Sequence, residues 1–238
     1  MKIILCGYNW TGCDALRQLL NANHEVFAYT HECPYHIPSV SEYCKKLGVD
    51  FSFEDISKSK LPFKPDCIVS IYYRFIIKSH VIDACNGQIM NLHPSLLPRY
   101  RGCSSLTWAM IDQQPETGFS YHYVDAGCDT GKIILQERIE IMPFDNQGTL
   151  YHRVGVKAME CFMAALDHVL SGKPGIEQVG EATYFPRGCP HDGRIDCTWP
   201  ESKIDAFIRA MVHPPYPAAT FKGKEILSFD GFKQALLD

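Results

Sequence analysis

The sequence predicts an α/β fold built on a doubly wound, mostly parallel sheet. Short apolar runs of strand length alternate with segments whose apolar residues recur at helical spacing, which is typical of βαβ units. The run Cys67–Ile71 is apolar except for Ser70, as expected for a strand buried on both faces. Ligands of such sheets bind at the carboxyl ends of the parallel strands, so residues that follow strands are the first site candidates.

The first strands and helices are predicted near the N-terminus. Lys2 to Cys6 is an apolar run that ends at Gly7, and residues 15–20 follow it with apolar side chains at helical spacing. A second strand is predicted from His24 to Tyr29. A helix is predicted from Pro38 to Leu47, since proline is favoured in the first turn.

The later elements complete a Rossmann-like sheet with one added hairpin. A short strand is predicted from Gln88 to Asn91. Two β-rich runs, Phe119 to Val124 and Lys132 to Ile141, are joined by a turn dense in Asp and Gly and indicate an antiparallel hairpin. Apolar residues at helical spacing from Gly148 to Leu170 predict a long amphipathic helix.

The character of the sequence changes beyond residue 180. We predict a main domain over residues 1–180 and a small C-terminal region over residues 181–238, which is rich in Pro, Gly and aromatic residues. This second region is expected to be a small β-rich appendage, with short strands after a single helix at about Glu201 to Ala210. We expect it to serve substrate binding or dimerisation.

Composition and charge narrow the possible partners. The net charge of −4 offers no field that would gather a nucleic acid over the whole surface. The start of the chain is too short for a signal peptide, and no apolar run is long enough to span a membrane. The 11 cysteines are scattered and odd in number, which predicts reduced thiols. We therefore expect a cytoplasmic protein without a nucleic-acid or membrane partner.

The segment from Gly7 to Gly12 follows the first strand, where many α/β folds cradle a phosphate. It matches neither the dinucleotide fingerprint nor the P-loop, so NAD or ATP binding is not expected. Two interpretations stay open. The segment is either a tight turn from strand to helix, or a loop in which Asn9, Trp10 and Thr11 touch a substrate.

A pair of polar residues marks the end of the strand predicted from Gln88. Asn91 and His93 are two residues apart, so in an extended segment both side chains project from the same side. Pro94 and Pro98 stiffen the loop that follows. An amide beside an imidazole suits a reaction centre, but such a pair also occurs where a histidine only satisfies local hydrogen bonds.

Two motifs together resemble the folate-dependent formyltransferase family. They are Asn-x-His followed by Ser-Leu-Leu-Pro-x-Tyr-Arg-Gly within residues 91–102, and Asp-x-Gly-x-Asp-Thr-Gly within residues 125–131. The resemblance runs from about Met1 to Leu170. It implies a catalytic trio of Asn91, His93 and Asp129, with 10-formyltetrahydrofolate as the formyl donor and no metal.

These residue types suit acyl transfer to nitrogen. An amide such as that of Asn91 can stabilise the oxyanion that forms when an amine attacks the formyl carbon. His93 can supply a second donor or move the amine proton, and Asp129 can orient that imidazole or relay the proton. Considered alone, Asp129 would be an ordinary turn carboxylate.

The resemblance also implies where the folate binds. The loop that follows the strand Cys67–Ile71 aligns with the family's pterin loop, and the strand before the second motif would form the opposite wall. The expected folate contacts are Tyr73, Phe75, Ile76, Ile77, Tyr123 and Asp125. Alternatively, the apolar members of the loop start a helix and pack into the core.

The C-terminal region is similar to the segment that follows the core in sugar-nucleotide N-formyltransferases. The resemblance therefore implies a nucleotide-linked amino sugar as acceptor, typically dTDP-4-amino-4,6-dideoxyglucose, in O-antigen or lipopolysaccharide biosynthesis. We also expect a homodimer, with the aromatic and proline-rich tail as its two-fold interface. Methionyl-tRNA and glycinamide ribonucleotide stay open as alternative acceptors. A folate or nucleotide binder without enzymatic activity also stays open.

An acidic diphosphate acceptor needs cations and stacking surfaces. Lys78, Arg101 and Arg209 are the candidate cations, although each, taken singly, fits a solvated surface charge better, since most Lys and Arg are solvated. Trp10, Tyr216 and Phe221 are the aromatic residues expected to stack on the base or sugar.

Overall fold

The computed structural model describes residues 1–212 and 217–237. Its internal contacts divide the chain into two compact units. The first comprises Met1–His93, Ser120–Gln136 and Gly155–Val179, and the second comprises Pro94–Phe119, Glu137–Val154 and Gly180–Asp238. The domain boundary that we place at residue 180 stays a prediction.

The described residues form eleven strands and seven α-helices. The strands are β1 (Lys2–Gly7), β2 (Glu25–Tyr29), β3 (Phe51–Ser52), β4 (Cys67–Ile71), β5 (Ile89–His93), β6 (Arg101–Gly102), β7 (Glu116–Tyr123), β8 (Ile133–Glu140), β9 (Tyr184–Phe185), β10 (Ala219–Phe221) and β11 (Lys224–Ile226). The helices are α1 (Asn9–Asn21), α2 (Val40–Leu47), α3 (Ser79–Ala84), α4 (Ser105–Ile111), α5 (Gln147–Leu170), α6 (Glu201–Ala210) and α7 (Phe229–Leu237).

The main sheet has the order β3-β2-β1-β4-β5-β7-β8. The pairs from β3 to β5 are parallel, and β7 runs antiparallel to β5. The chain moves from β1 outward to β2 and β3, then returns to the other side of β1 for β4 and β5. The strand order therefore reverses between β1 and β4, which confirms the predicted doubly wound fold.

The predicted hairpin is formed by β7 and β8. The Tyr123 N–H donates to the Lys132 carbonyl at 2.9 Å, and a side chain at Gly118 would collide with the Glu137 carbonyl. The residue numbers rise along one strand as they fall along the other, so the two strands are antiparallel. This hairpin confirms the antiparallel addition expected from the sequence.

The core of the first unit lies on the sheet strands. All five residues of β4 are buried, and a cluster that includes Ile4, Tyr29, Ile68 and Ile89 packs on one face of the sheet. Helix α1 buries Ala15, Leu16 and Leu19, which are the helically spaced residues of the sequence pattern. Burying each of the two leucine side chains is worth about 1.5–3 kcal/mol.

The helix predicted from Pro38 begins at Val40, because the preceding residue caps it. The Ser39 hydroxyl accepts a hydrogen bond from the Glu42 N–H at 3.3 Å, which satisfies one of the amides that a helix start leaves unpaired. At the other end, Gly48 adopts φ +68°, a left-handed conformation that glycine tolerates best.

The second unit contains two small sheets, one of β6 with β9 and one of β10 with β11. The Phe185 ring stacks between Tyr100 and Trp108, with ring centroids 5.8 and 4.4 Å away. Helix α6 has the bounds predicted from the sequence. The expectation of a single helix after residue 180 is wrong, because α7 also forms and buries Phe232 and Ala235, which are three residues apart.

Within residues 1–212 and 217–237, we find no helix that combines the length and the apolar composition needed to cross a lipid bilayer.

Candidate active site

Strand β5 presents Asn91 and His93. It continues to His93, two residues beyond the predicted end, so both residues belong to one regular strand. Their side chains therefore project from the same face of the sheet. His93 is buried, with 5% of its surface exposed, and Asn91 is half-buried.

Strand β7 adds a second histidine to this pair. Its register places His122 opposite Asn91 and Ser120 opposite His93. The His122 Nδ1 lies 2.7 Å from the Tyr123 carbonyl oxygen, and because a carbonyl only accepts, Nδ1 carries a proton. In the neutral ring, Nε2 then accepts a hydrogen bond from the Asn91 amide nitrogen at 3.1 Å. His122 thus fixes which way the Asn91 amide faces.

Asp129 comes from the loop between β7 and β8. Its Oδ2 lies 3.5 Å from the His93 Nδ1 and its Oδ1 lies 3.5 Å from the His122 Nε2. The carboxylate is 14% exposed. At this separation it interacts with the two rings by charge more than by close hydrogen bonding. The structure therefore brings together the three residues of the predicted trio.

From the sequence alone we assign no catalytic role to His122. The available signal is a pair of polar residues, Ser120 and His122, at alternate positions of a strand that is buried from Thr117 to His122. Buried polar side chains on a strand require partners. Which partners they have depends on the pairing of β7 with β5, which no local pattern reveals.

Asp125 shapes the loop that carries Asp129. Its Oδ1 accepts hydrogen bonds from the Gly127 N–H at 3.0 Å and from the Thr130 hydroxyl at 2.6 Å. A side chain at Gly127 would collide with Thr130, so this turn needs glycine there. The carboxylate is thus engaged within its own loop, and its expected contact with folate stays a prediction.

The expected pterin loop divides into inward and outward residues. The Tyr73 hydroxyl accepts from the Ile56 N–H at 3.1 Å, and burial raises its pKa. Ile77 is buried in the core. Phe75 is half-buried beneath the Arg74 guanidinium, which lies 4.6 Å from the ring centroid, while Ile76 is 81% exposed. The apolar surface left for a ligand is therefore that of Phe75 and Ile76.

Tyr123, expected on the opposite wall, is half-buried. Its hydroxyl donates to the Lys173 carbonyl at 2.5 Å, so this group is engaged within the first unit. Only the ring of Tyr123 could then offer an apolar edge to a ligand. Its contact with folate stays a prediction.

The loop after β1 is a capped turn. Asn9 is buried with φ +53°, and its Oδ1 accepts from both the backbone N–H and the hydroxyl of Thr11, at 2.8 and 2.7 Å. Trp10 packs so closely on Gly155 that a side chain there would collide with the indole. These contacts fit the interpretation as a turn, and a substrate role for Asn9, Trp10 and Thr11 stays a prediction.

Of the three candidate cations, Lys78 lies in the first unit, and Arg101 and Arg209 lie in the second. Lys78 is exposed at the start of α3. Arg101 is half-buried in β6. Arg209 donates from Nε to Asp205 at 2.9 Å and from Nη1 to the Asp145 carbonyl at 2.6 Å, so two of its donor positions hold the second unit together. Their role toward a diphosphate stays a prediction.

The two aromatic residues expected to stack near the C-terminus have different outcomes. Phe221 is buried, and its ring meets Phe232 edge-on at 5.2 Å, so the structure does not favour it as a stacking surface. Tyr216 lies outside the described residues.

None of the 11 cysteines forms a disulfide bond. Burial raises the pKa of several of their thiols, to about 11 for Cys13 and Cys85. In the part of the chain that the structure describes, no group of three or more His, Cys, Asp or Glu residues could hold a metal ion.

Comparison with known families gives one match that covers more than half of the chain. The profile of the family described as formyl transferase matches residues 41–166. This span contains Asn91, His93, His122 and Asp129.

Among characterised relatives, GDP-perosamine N-formyltransferase of Brucella melitensis is 45% identical over 160 residues. The matched region is 67% of this chain and 62% of the relative. The chain thus spans less than two thirds of the length of that relative.

Solved structures share the fold. The N-formyltransferase from Helicobacter canadensis, in complex with folinic acid and dTDP-3-aminofucose, has a TM-score of 0.82 at 20% identity, over 95% of this chain and 86% of that one. The formyltransferase PseJ from Anoxybacillus kamchatkensis, in complex with UDP-4,6-dideoxy-4-formamido-L-AltNAc and tetrahydrofolate, has a TM-score of 0.60 at 27% identity. It matches over 78% of this chain and 86% of that one.

Proposed function

We propose, since this chain belongs to the formyl transferase family, that it transfers a formyl group from 10-formyltetrahydrofolate to the amino group of a nucleotide-linked sugar. The observation that carries the proposal is the convergence of an amide, two imidazoles and a carboxylate, with Asp129 3.5 Å from both His93 and His122. This set can stabilise an oxyanion and move a proton, which are the two requirements of acyl transfer to nitrogen.

The proposed reaction forms one bond and breaks another. The sugar amine attacks the formyl carbon and forms the new carbon–nitrogen bond. The bond between that carbon and the donor nitrogen of the folate then breaks. The proton lost by the amine ends on the donor nitrogen, so the products are an N-formyl sugar and tetrahydrofolate.

Asn91 supplies the oxyanion donor in this proposal. Its amide nitrogen has two N–H groups, and His122 accepts one of them. The second can donate to the formyl oxygen as negative charge develops there. Because His122 holds the amide in place before substrate binds, little reorganisation is needed during the reaction.

His93 moves the proton in this proposal. Its imidazole takes the proton from the attacking amine and passes it toward the donor nitrogen. The Asp129 carboxylate beside the His93 Nδ1 stabilises the ring while it is charged. Burial of His93 strengthens that interaction, since it keeps water from screening the two groups.

The first unit has suitable surface for the pteridine of the formyl donor. Phe75 and Ile76 expose apolar surface on the loop after β4, at the carboxyl edge of the sheet where such folds bind ligands. When bound, the donor supplies the formyl group. Complexes of relatives with folinic acid and tetrahydrofolate support this choice.

The acceptor is proposed to be an amino sugar linked to a nucleoside diphosphate. The relative at 45% identity is named for GDP-perosamine, which favours a GDP-linked sugar over the dTDP-4-amino-4,6-dideoxyglucose expected from the sequence. Complexes of other relatives hold dTDP- and UDP-linked sugars, so the nucleotide varies within the fold. The homodimer stays a prediction.

A panel of acceptors tests the proposal. The chain is incubated with 10-formyltetrahydrofolate and, separately, GDP-perosamine, dTDP-4-amino-4,6-dideoxyglucose and glycinamide ribonucleotide, and products are analysed by mass spectrometry. We expect the GDP-linked sugar to gain the mass of one formyl group most rapidly. Transfer to the ribonucleotide alone would contradict the proposed acceptor class, and no transfer to any amine by the folded chain would contradict the activity.

A further inference from the structure

The chain runs back beside the Asp129 loop after α5 ends at Leu170. Ile176 and Ile133 exchange two backbone hydrogen bonds, at 2.7 and 2.8 Å, so this part of the chain forms an antiparallel bridge to the start of β8. We call residues 173–178 the strap. The strap belongs to the first unit, as do all four residues of the candidate active site.

Several contacts hold the strap in place. The Tyr123 hydroxyl donates to the Lys173 carbonyl at 2.5 Å. Gly175 fits so closely that a side chain there would lie 2.7 Å from the Lys132 side chain and 2.9 Å from the Ile133 carbonyl. The exposed pair of Lys132 with Glu177, at 2.8 Å, adds little because solvent screens it. Backbone bonds and close packing therefore fix where the strap ends.

Gln178 is the last residue of the strap and reaches into the Asp129 loop. Its amide nitrogen donates to the Asp129 carbonyl at 2.8 Å and to the Gly131 carbonyl at 2.7 Å. Both donors of one NH₂ group are thus used on carbonyls that flank Thr130. The two bonds define the path of the loop on either side of that residue.

The two bonds hold Asp129 in a left-handed backbone conformation. Its φ of +53° lies in a region that residues with a side chain adopt infrequently, although aspartate adopts it more readily than most. The same residue must keep each carboxylate oxygen 3.5 Å from a different imidazole. A loop free to relax its φ would move the carboxylate away from one or both rings.

We propose that Gln178 is a positioning residue that holds the Asp129 carboxylate in place beside His93 and His122. This inference rests on the proposed function. The chemistry explains why the position needs glutamine. A neutral amide offers two N–H donors at the required length, whereas glutamate would set a carboxylate against two carbonyl oxygens and asparagine would be shorter by one methylene.

Two variants of Gln178 and one control test the proposal. Gln178→Glu keeps the length but loses both donors, and Gln178→Met keeps the approximate size without charge. Glu177→Gln is the matched control, since it removes only the exposed pair with Lys132. For both Gln178 variants we expect kcat to fall by about 100-fold, as a small misplacement of a reacting group can cause, with KM for both substrates nearly unchanged.

Hydrogen exchange gives a second readout that needs no activity. We expect backbone amides of residues 125–131 to exchange faster in Gln178→Met than in the wild type, with a similar thermal midpoint, and Glu177→Gln to match the wild type. If Gln178→Glu fails to fold, the results for Gln178→Met decide between a positioning role and a merely structural one. A merely structural role would lower the midpoint and leave kcat of the folded fraction unchanged, which would overturn the proposal.

The two possible failures are distinguishable. An active wild type whose Gln178 variants turn over at its own rate, or whose loop exchange does not change, overturns the positioning role alone. A wild type that formylates no amine overturns the proposed function, and the positioning role falls with it.

Discussion

At the scale of single residues, the proposed oxyanion donor depends on which atoms of Asn91 and His122 carry protons. The Tyr123 carbonyl fixes the proton of the His122 ring on Nδ1, and the bare Nε2 fixes the Asn91 amide. Each assignment follows from the fact that a carbonyl oxygen only accepts. The orientation of the oxyanion donor is therefore determined by the pairing of β5 with β7 and by one imidazole.

Removing either of the β5 side chains should nearly abolish transfer. Asn91→Ala deletes the oxyanion donor and should lower kcat by about 100- to 1000-fold. His93→Ala deletes the proton carrier and should lower it by a similar factor. Single-turnover kinetics checks both, with the exposed His80→Ala as control. Turnover near the wild-type rate in both variants would contradict the assigned roles.

Replacing His122 tests the orientation of the amide. His122→Phe keeps an aromatic ring at a site that is 3% exposed but removes the acceptor for Asn91. We expect kcat to fall by at least about tenfold, because the amide can then turn its oxygen toward the developing charge. Steady-state kinetics measures the effect. A variant with unchanged kcat would show that Asn91 does not depend on this ring.

His31 should make the stability of the first unit depend on pH. Burial, reinforced by the nearby Arg74 charge, lowers its pKa from 6.5 to about 4. Between these pH values the unfolded chain binds a proton that the folded chain does not, so stability falls as pH falls through this window. The variant His31→Phe keeps the stacking on Tyr8, whose ring centroid is 4.1 Å away, and removes the titration.

Urea unfolding at pH 7 and at pH 4.5 measures this dependence. We expect the wild type to lose more stability than His31→Phe between the two pH values, although other groups titrate equally in both proteins. Equal losses would show that His31 does not carry the effect.

At the scale of elements, strands and helices with strong local patterns were predictable and those defined by long-range packing were not. The bounds of β4 and α6 agree with the sequence patterns. The pattern predicts an end of β5 at Asn91, because a histidine gives no strand signal. Pairing with β4 extends the strand to Leu92, and pairing with Ser120 of β7 extends it to His93. Helix α3 is only six residues long, too short to show a clear period.

One buried carboxylate braces the elements of the second unit. Asp145 is fully buried, accepts from the Met142 N–H at 2.8 Å and the Thr149 hydroxyl at 3.0 Å, and pairs with Arg153. This acceptor is costly to remove, because three groups lose a hydrogen bond to a charged oxygen. Thr149 and Arg153 recover part of that loss from water, since Thr149 is exposed and the Arg153 side chain is 34% exposed.

Asp145→Ala should therefore destabilise the protein by about 2 kcal/mol. The control is Glu116→Gln, which removes the exposed pair with Arg138 and should cost less than about 1 kcal/mol. Chemical denaturation gives both values. Equal, small losses in the two variants would contradict the bracing role of Asp145.

At the scale of the whole molecule, only part of the candidate site can be predicted from the sequence. The alternation of side chains along a strand places Asn91 and His93 together from local geometry alone. Asp129 could be added only through the resemblance to a family, because its loop lies far away in the chain. The roles of His122 and Gln178 are visible only in the structure, since they depend on strand register and on the path of the strap.

The most direct measurement follows a labelled formyl group. The chain is given 10-formyltetrahydrofolate with ¹³C in the formyl carbon and GDP-perosamine, and the products are examined by NMR. We predict a ¹³C formamide signal on the sugar product, present with the wild type and with His80→Ala and absent with His93→Ala. A label that stays on the folate, or leaves it only as formate, while the chain remains folded would contradict it.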